Sequence, residues 1–165
     1  MSIIALDPGT LQTGYAIMNG LDVIEHGIVN NDEMLAMLFT VCNDTPISAP
    51  RYCNQMAYEM IASYGMPVGA EVFDTCIWIG RFLEMFGAND CTPVFRRDVK
   101  SALCNANNAK DSNVRQAILD LYPRVGGGKT PQVGTSKQPG PLYGVTSHVW
   151  PAIGVGLYAQ GIIKR

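Results

Sequence analysis

Apolar runs at the start of the chain predict three short strands. Residues 2–6 (SIIAL) form a continuous buried run, and residues 13–19 and 22–30 give two further strand-like runs. The links between these runs are short, which favours antiparallel neighbours in a meander. Asp7 follows the first run at once and precedes a Pro-Gly turn. The pattern therefore places a carboxylate at the end of a buried strand.

Asp7 has two interpretations from this segment alone. A carboxylate at the edge of a sheet can hold a divalent cation together with acids from distant strands. An Asp before Pro-Gly can instead hydrogen-bond its own backbone in a turn. Both interpretations stay open at this point.

The remaining periodicity predicts helices and strands in alternation. We expect a helix over 33–39 capped by Asn31 or Asp32, a loop over 43–51, a fourth strand over 55–60 ending near Glu59, a helix over 68–86, a fifth strand over 92–95, helices over 97–104 and 111–122, and a last helix over 148–163 capped by Ser147. Five glycines and three prolines within residues 126–141 predict a flexible loop over 123–143. This order predicts an α/β fold with a mixed five-stranded sheet, its three antiparallel strands first, flanked by helices.

Length and composition indicate one globular domain over residues 1–165. The chain is 47% apolar and 16% charged, and it is long enough to bury a core. Five scattered cysteines show no Cys-x-x-Cys spacing, and the sequence has neither a secretory signal nor an apolar run that could span a membrane. We therefore expect a cytoplasmic protein with reduced thiols and no membrane partner.

Charge is divided unevenly along the chain. Residues 1–90 contain two basic and eleven acidic residues, a net charge of −9, whereas residues 91–165 contain ten basic and three acidic residues, a net charge of +7. The first part can therefore supply acids to a metal and the second a surface to a polyanion. Acidic and basic faces that merely balance for solubility are the alternative.

Six short motifs follow one another along nearly the whole chain. They are residues 4–9 (IALDPG) with Thr13-Gly14, 59–66 (EMIASYGM), 71–81 (EVFDTCIWIGR), 97–100 (RDVK) with Leu103-Cys104, 109–111 (AKD) with Val114-Arg115, and 144–150 (GVTSHVW). Each is weak alone, but their order and spacing resemble the RuvC-type Holliday junction resolvases, especially their phage and Firmicute branch. The resemblance implies a single RNase H-like nuclease domain that cleaves DNA with a divalent metal.

The resemblance also implies acids at the end of the first strand, the end of the fourth strand and the start of the last helix. Asp7 and Glu59 fit the first two places. At the third place, where the family usually carries one or two Asp, this chain has His148 and Pro151. An imidazole can ligate Mn²⁺ or act as a general base, but it suits Mg²⁺ less well. The expected catalytic and metal-binding residues are thus Asp7, Glu59 and His148, with Asp111 as a substitute ligand and Mg²⁺ or Mn²⁺ as the cofactor.

Branched DNA is the partner that the resemblance implies, and the basic second half supplies cations to hold it. We expect phosphate contacts from seven side chains: Arg96, Arg97, Lys100, Lys110, Arg115, Lys129 and Lys137. Tyr64 and Met66 follow Glu59 in the loop with which the family probes opened bases. Tyr64 is expected either to stack on an unpaired base or to pack beneath the long helix.

The long helix carries more apolar side chains than one buried face needs, namely Phe73, Ile77, Trp78 and Phe82. A four-way junction has near two-fold symmetry and two symmetric nicks need two sites, so we expect a homodimer. The predicted function is metal-dependent hydrolysis of phosphodiester bonds in Holliday junctions and other branched DNA. The alternative is a junction-binding protein whose catalysis is impaired by His148 and Pro151.

Overall fold

The computed structural model describes residues 2–43 and 53–164. The chain forms strands and helices in the order β1 Ile3–Pro8, β2 Gln12–Asn19, β3 Asp22–Asn30, α1 Asn31–Asn43, β4 Gln55–Met60, α2 Ala70–Phe86, β5 Cys91–Phe95, α3 Arg96–Cys104, α4 Asp111–Asp120 and α5 Val149–Ala159. A short 3₁₀ turn, Ala88–Asp90, precedes β5. Most of the predicted 43–51 loop lies outside the described residues, and Asn43 ends α1.

The predicted mixed five-stranded sheet is confirmed. Its strand order is β3-β2-β1-β4-β5. The first three strands pair antiparallel, whereas β4 pairs parallel to both β1 and β5. Leu6 of β1 pairs with Tyr58 of β4, so the next residue of each strand, Asp7 and Glu59, lies at the same edge of the sheet. Arg96 follows β5 directly and comes to that edge as well.

Side chains alternate between two core layers along the central strands, as the pleat of a strand requires. Ile4 belongs to the layer that packs against α1 and α2, whereas Ala5 belongs to the layer that packs against α5. Asp7 lies two residues after Ala5, and Glu59 lies two residues after Ala57 of the α5 layer. Both carboxylates therefore face the side of the sheet that α5 covers.

The cap of α1 differs from the prediction. Asn30, rather than Asn31 or Asp32, caps the helix: Asn30 Oδ1 accepts a hydrogen bond from the Glu33 amide at 2.8 Å, and Glu33 Oε2 accepts one from the Asn30 amide at 3.3 Å. The Asn31 side chain is buried instead. It accepts a hydrogen bond from Thr13 Oγ1 at 2.7 Å and donates one to the Gly9 carbonyl at 3.0 Å, which ties down the turn after β1.

The last helix is shorter than predicted. It begins at Val149 rather than His148, and its N-cap position is occupied by His148, which makes no side-chain capping hydrogen bond, rather than by Ser147, whose φ of 37° lies in the left-handed region. The helix ends at Ala159 rather than Ile163. Gly161, with φ of 68°, closes it through hydrogen bonds from the amides of residues 161 and 162 to the carbonyls of residues 158 and 157.

Residues 123–143 contain no helix, and an isolated bridge joins Gly134 to Pro139. Leu142 is fully buried, and Gln132 donates a hydrogen bond from Nε2 to the Leu119 carbonyl at 3.2 Å. The segment is thereby attached to α4. Its flexibility and the single-domain organisation stay predictions. Within the described ranges, no helix is long and apolar enough to cross a membrane.

Candidate active site

Asp7 and His148 meet at the edge of the sheet, although 141 positions separate them in the chain. His148 Nδ1 lies 2.9 Å from Asp7 Oδ2. The Asp7 side chain is 10% exposed, whereas that of His148 is 65% exposed. Burial raises the pKa of Asp7, and the hydrogen bond and charge of His148, with the charge of Arg96, partly offset that rise. A buried carboxylate thus orients an imidazole that reaches into solvent.

Gly14 lets the backbone of His148 approach this closely. Gly14 is paired with Asp7 in the antiparallel register of β1 and β2. A Cβ atom at Gly14 would lie 2.4 Å from the His148 carbonyl oxygen and 2.8 Å from its Cβ atom. A side chain in that place would push His148 away from the strand, since there is no room for both. The glycine therefore belongs to the site even though it carries no functional group.

Glu59 is the second acid of the site, and Arg96 contacts it. Arg96 Nη1 donates a hydrogen bond to Glu59 Oε1 at 3.2 Å, and the Glu59 side chain is 17% exposed. Burial raises the pKa of Glu59, the negative charge of Asp7 raises it further, and Arg96 opposes both effects. The negative charge of Asp7, on the adjacent strand, thus acts on the Glu59 carboxyl group.

Arg96 also contacts a third acid, Asp111, through its other terminal nitrogen atom. Its Oδ1 atom is 3.1 Å from Arg96 Nη2 and 3.2 Å from Lys100 Nζ. The hydrogen bond from Arg96 does most to lower the pKa of Asp111, and Lys100 adds to it. The structure therefore places Asp111 among cations, while its predicted use as a substitute metal ligand stays a prediction.

These donors suit a divalent cation in their chemistry. The buried Asp7 carboxylate, the partly buried Glu59 carboxylate and the His148 imidazole offer oxygen and nitrogen atoms of the kinds that bind divalent cations. In the present arrangement Arg96 contacts one carboxylate and His148 the other. No group of three His, Cys, Asp or Glu side chains within residues 2–43 and 53–164 is close enough to hold a metal ion. A metal ion bound by Glu59 Oε1 would compete with Arg96 for that oxygen atom.

A groove of about 430 Å³ opens beside the acids, between α5 and the pair α3 and α4. Its polar wall includes Glu59, Arg96, Lys100, Asp111, Ser112, Arg115, Ser147 and His148, and its apolar part consists of Val99, Val114, Trp150, Pro151 and Gly154. Pro151, at the place where the resemblance of the sequence motifs implies an acid, offers no ligand atom to this groove. Glu59, His148 and the basic side chains of α3 and α4 thus share one concave surface.

The predicted DNA-binding residues fall into three groups. Arg96, Lys100 and Arg115 line the groove, and Arg115 also lies over the ring of Trp150 at 4.9 Å. Arg97 lies 5.0 Å from the ring centre of Tyr64, whose own φ is 47°. Exposed side chains make up the third group: Met66 on the same loop as Tyr64, Lys110 before α4, and Lys129 and Lys137 in the 123–143 segment. Tyr64 is itself exposed and does not pack beneath α2.

The apolar surplus of α2 is smaller than the sequence indicates. Phe82 is 1% exposed and belongs to the core, and Trp78 packs against the same layer. Phe73 and Ile77 are 60% and 62% exposed. These two side chains are four residues apart and so lie on one face of the helix, where they form an exposed apolar pair.

Sequence reasoning did not identify two contacts of the site. The role of Gly14 was missed, although a glycine inside a strand is a known signal of close backbone approach. Arg96 was expected to contact phosphate only, and its hydrogen bond to Glu59 was not expected. A basic residue directly after the predicted fifth strand was the available signal, because parallel neighbours end at one edge.

Two solved structures share this fold. One is Thermus thermophilus RuvC in complex with a Holliday junction substrate, with a TM-score of 0.65 and 17% identity over 99% of this chain and 98% of that one. The other is the Thermus thermophilus RuvC structure, with a TM-score of 0.58 and 16% identity over 99% of both chains. No family model and no curated protein matches the sequence. At this identity the similarity establishes the fold of the chain.

Proposed function

We propose that this chain is a metal-dependent endonuclease of the RuvC type that cuts Holliday junctions and other branched DNA. The observation that carries the proposal is the pair of carboxylates, Asp7 buried and Glu59 partly buried, on adjacent parallel strands beside a groove lined by cations. The fold shared with RuvC, one structure of which contains a Holliday junction substrate, supports the choice of DNA. The assignment to the phage and Firmicute branch stays a prediction from the sequence motifs.

Asp7, Glu59 and His148 are the residues that would hold Mg²⁺ or Mn²⁺. When bound, such an ion polarises the scissile phosphate and lowers the pKa of a water molecule. His148 has a second possible task in the same site. If Nδ1 donates to Asp7, its Nε2 atom is left as an acceptor on an exposed ring, which is the arrangement of a general base oriented by a carboxylate.

Phosphates of the substrate would be held by the cations of the groove. Arg96, Lys100 and Arg115 reach it from α3 and α4, on the same side as the acids. Tyr64 is exposed on the loop that follows β4, where its ring can stack on an unpaired base. Arg97 contacts that ring and would limit its orientations.

A homodimer would supply the second site that paired nicking needs. Phe73 and Ile77 present exposed apolar surface on α2, and Gly80, one turn further, leaves open space beside the helix. Apolar side chains next to a small residue allow two helices to pack closely. A two-fold axis at this face would bring two identical sites to one four-way junction.

Cleavage of a synthetic four-way junction tests the proposal. We expect paired nicks in Mg²⁺ or Mn²⁺, and a loss of at least about 10²-fold in Asp7→Asn and in Glu59→Gln, because each removes a ligand or orienting charge. Asp120→Asn is the matched control, since Asp120 is an exposed acid that accepts a hydrogen bond from Gln116 on its own helix. Parental cutting by both site variants would show that the acids have been misassigned.

The second candidate is a junction-binding protein with impaired catalysis. It is favoured by Pro151, which supplies no ligand atom in the first turn of α5, and by the lack of a three-ligand group in the described parts of the chain. Junction binding without cutting in either metal would support this candidate. If Pro151→Asp gains Mg²⁺-supported cutting, the site lacks a carboxylate; if it gains none in a parent that cuts, His148 is sufficient, and His148→Ala should then remove that cutting.

A further inference from the structure

Asp111 holds one carboxylate oxygen between two cations of the groove. Arg96 Nη2 and Lys100 Nζ lie 3.1 and 3.2 Å from the same Oδ1 atom. Arg96 contacts Glu59 through its other terminal nitrogen, Nη1. The atoms directed at Asp111 are therefore separate from the contact that Arg96 makes with the acid site.

This anion is readily replaced. The Asp111 side chain is 72% exposed, and ion pairs that water reaches are weak because both partners are well solvated on their own. A phosphodiester group carries the same single negative charge as a carboxylate, and its non-bridging oxygens likewise accept hydrogen bonds from arginine and lysine. Rotation of the exposed carboxylate into solvent would free both cations without breaking any contact with the sheet.

We propose that Arg96 and Lys100 form a binding site for a DNA backbone phosphate, and that Asp111 is an internal anion which occupies this site until DNA displaces it. The inference rests on the proposed function, because that function makes the displacing anion a phosphate of DNA. Asp111 then lowers the affinity for every DNA equally at this site. Substrates that make further contacts, such as a branch point at Tyr64, are bound in spite of it, whereas plain duplex is disfavoured.

Binding measured without divalent metal tests the inference apart from catalysis. We expect Asp111→Asn to bind both a labelled four-way junction and a linear duplex about ten-fold more tightly at about 50 mM salt, because two cations become free to contact phosphates. Each such contact adds about 0.9 to the slope of log affinity against log salt. The slope should steepen by about 1 to 2. Fluorescence anisotropy across a salt series gives both quantities.

Two controls separate a specific site from a general change in charge. Asp120→Asn alters the net charge by the same amount on the same helix, and we expect neither a gain in affinity nor a steeper slope. In Asp111→Asn/Lys100→Met one of the two cations is gone, so at least half of the gain in slope should be lost. An equal gain in Asp120→Asn, or an unreduced gain in the double variant, would overturn the inference.

A further test uses inorganic phosphate as the anion and does not require DNA. We expect millimolar phosphate to raise the melting temperature of Asp111→Asn but not that of the parent, in which Asp111 holds the site. If no variant binds junction or duplex while phosphate still stabilises Asp111→Asn, the proposed function fails and the anion site stands. If the variants bind DNA, but Asp111→Asn matches the parent in affinity, salt slope and response to phosphate, Asp111 only joins α3 to α4 and the inference fails.

Discussion

Replacing Gly14 by alanine should displace His148 within the site without changing any charged residue. The added Cβ would lie 2.4 Å from the His148 carbonyl oxygen, 2.6 Å from its carbonyl carbon and 2.8 Å from its Cβ atom. All three are main-chain atoms or are fixed to the main chain, so rotation of a side chain cannot relieve the contact. Either β2 or the backbone of His148 must move.

The size of that movement follows from the contact distances. A Cβ atom is essentially never found within 3.0 Å of another heavy atom, so the 2.4 Å contact requires a shift of about 0.6 Å. A shift of that size away from the strand would lengthen the 2.9 Å bond between His148 Nδ1 and Asp7 Oδ2 to about 3.5 Å, where little hydrogen bonding remains. Crowding of this kind costs about 1 to 3 kcal/mol of stability. A misplacement near 1 Å at a catalytic group costs about 10²-fold in rate, so we expect a loss of about 10- to 100-fold.

Single-turnover cleavage and urea unfolding of Gly14→Ala measure the two effects. Gly27→Ala is the matched control, because it adds the same methyl group to the neighbouring strand, where the nearest atom is Tyr15 Cε1 at 3.1 Å and the shift needed is only a few tenths of an ångström. Junction binding should be nearly unchanged in both variants, since neither alters a cation. A cleavage rate of Gly14→Ala within two-fold of that of Gly27→Ala would refute the role of Gly14 in positioning His148.

Three further predictions concern Glu59, the proposed dimer and the loop that carries Tyr64. The pKa of Glu59 is raised, so the folded protein binds the Glu59 proton more tightly than the unfolded chain does. This proton binding stabilises the fold fully below the ordinary glutamate pKa, and the stabilisation is lost as pH rises through the raised pKa. Glu59→Gln should therefore be more stable than the parent by about 0.5 to 2 kcal/mol near pH 8, with a gap that narrows on acidification in urea titrations; a gap that is constant with pH would contradict this. Ile77→Glu should yield monomers in sedimentation and abolish paired nicking, whereas Val125→Glu, which also charges an exposed apolar position, should stay dimeric; an unchanged mass for Ile77→Glu would remove α2 from the interface. Tyr64→Ala should weaken junction binding by about 5- to 100-fold with little effect on duplex, and Arg97→Gln should do so to a smaller degree; equal losses on junction and duplex would show that the ring does not contact opened bases.

Local sequence signals were sufficient for most of the sheet. The predicted bounds of the third and fourth strands agree with the structure, and the first, second and fifth begin or end within two residues of it. Side-chain alternation and turn residues depend on near neighbours in the chain, so they are legible without knowledge of the fold. The same signals placed Asp7 at the end of a buried strand, and the structure shows it there.

Signals at helix ends were less informative. Asn30, Asn31 and Asp32 are all suitable cap residues, and burial of the Asn31 side chain against Thr13 decides which of them caps α1. Ser147 has the right side chain for a cap but lies in a left-handed turn. The choice depends on contacts from other elements, which a single segment does not contain.

The apolar face of α2 shows the same dependence on tertiary contacts. Its sequence marks Phe73, Ile77, Trp78 and Phe82 as equally suited to burial. Packing against α1 and the sheet buries Phe82 and leaves Phe73 and Ile77 exposed. Hydrophobicity alone states that a side chain prefers burial, but the direction of the neighbouring core determines which ones achieve it.

The sequence by itself determined the order of strands and helices, the acid after the first strand and the basic character of the second half. Tertiary structure decided which charges meet: Asp7 with His148, Glu59 with Arg96, and Asp111 with both Arg96 and Lys100. The parallel pairing of β4 between β1 and β5 brings three strand ends to one edge, and α5 returns across that edge from the far end of the chain. Contacts over such distances in sequence arise from strand order and packing, so no local pattern of residues can specify them.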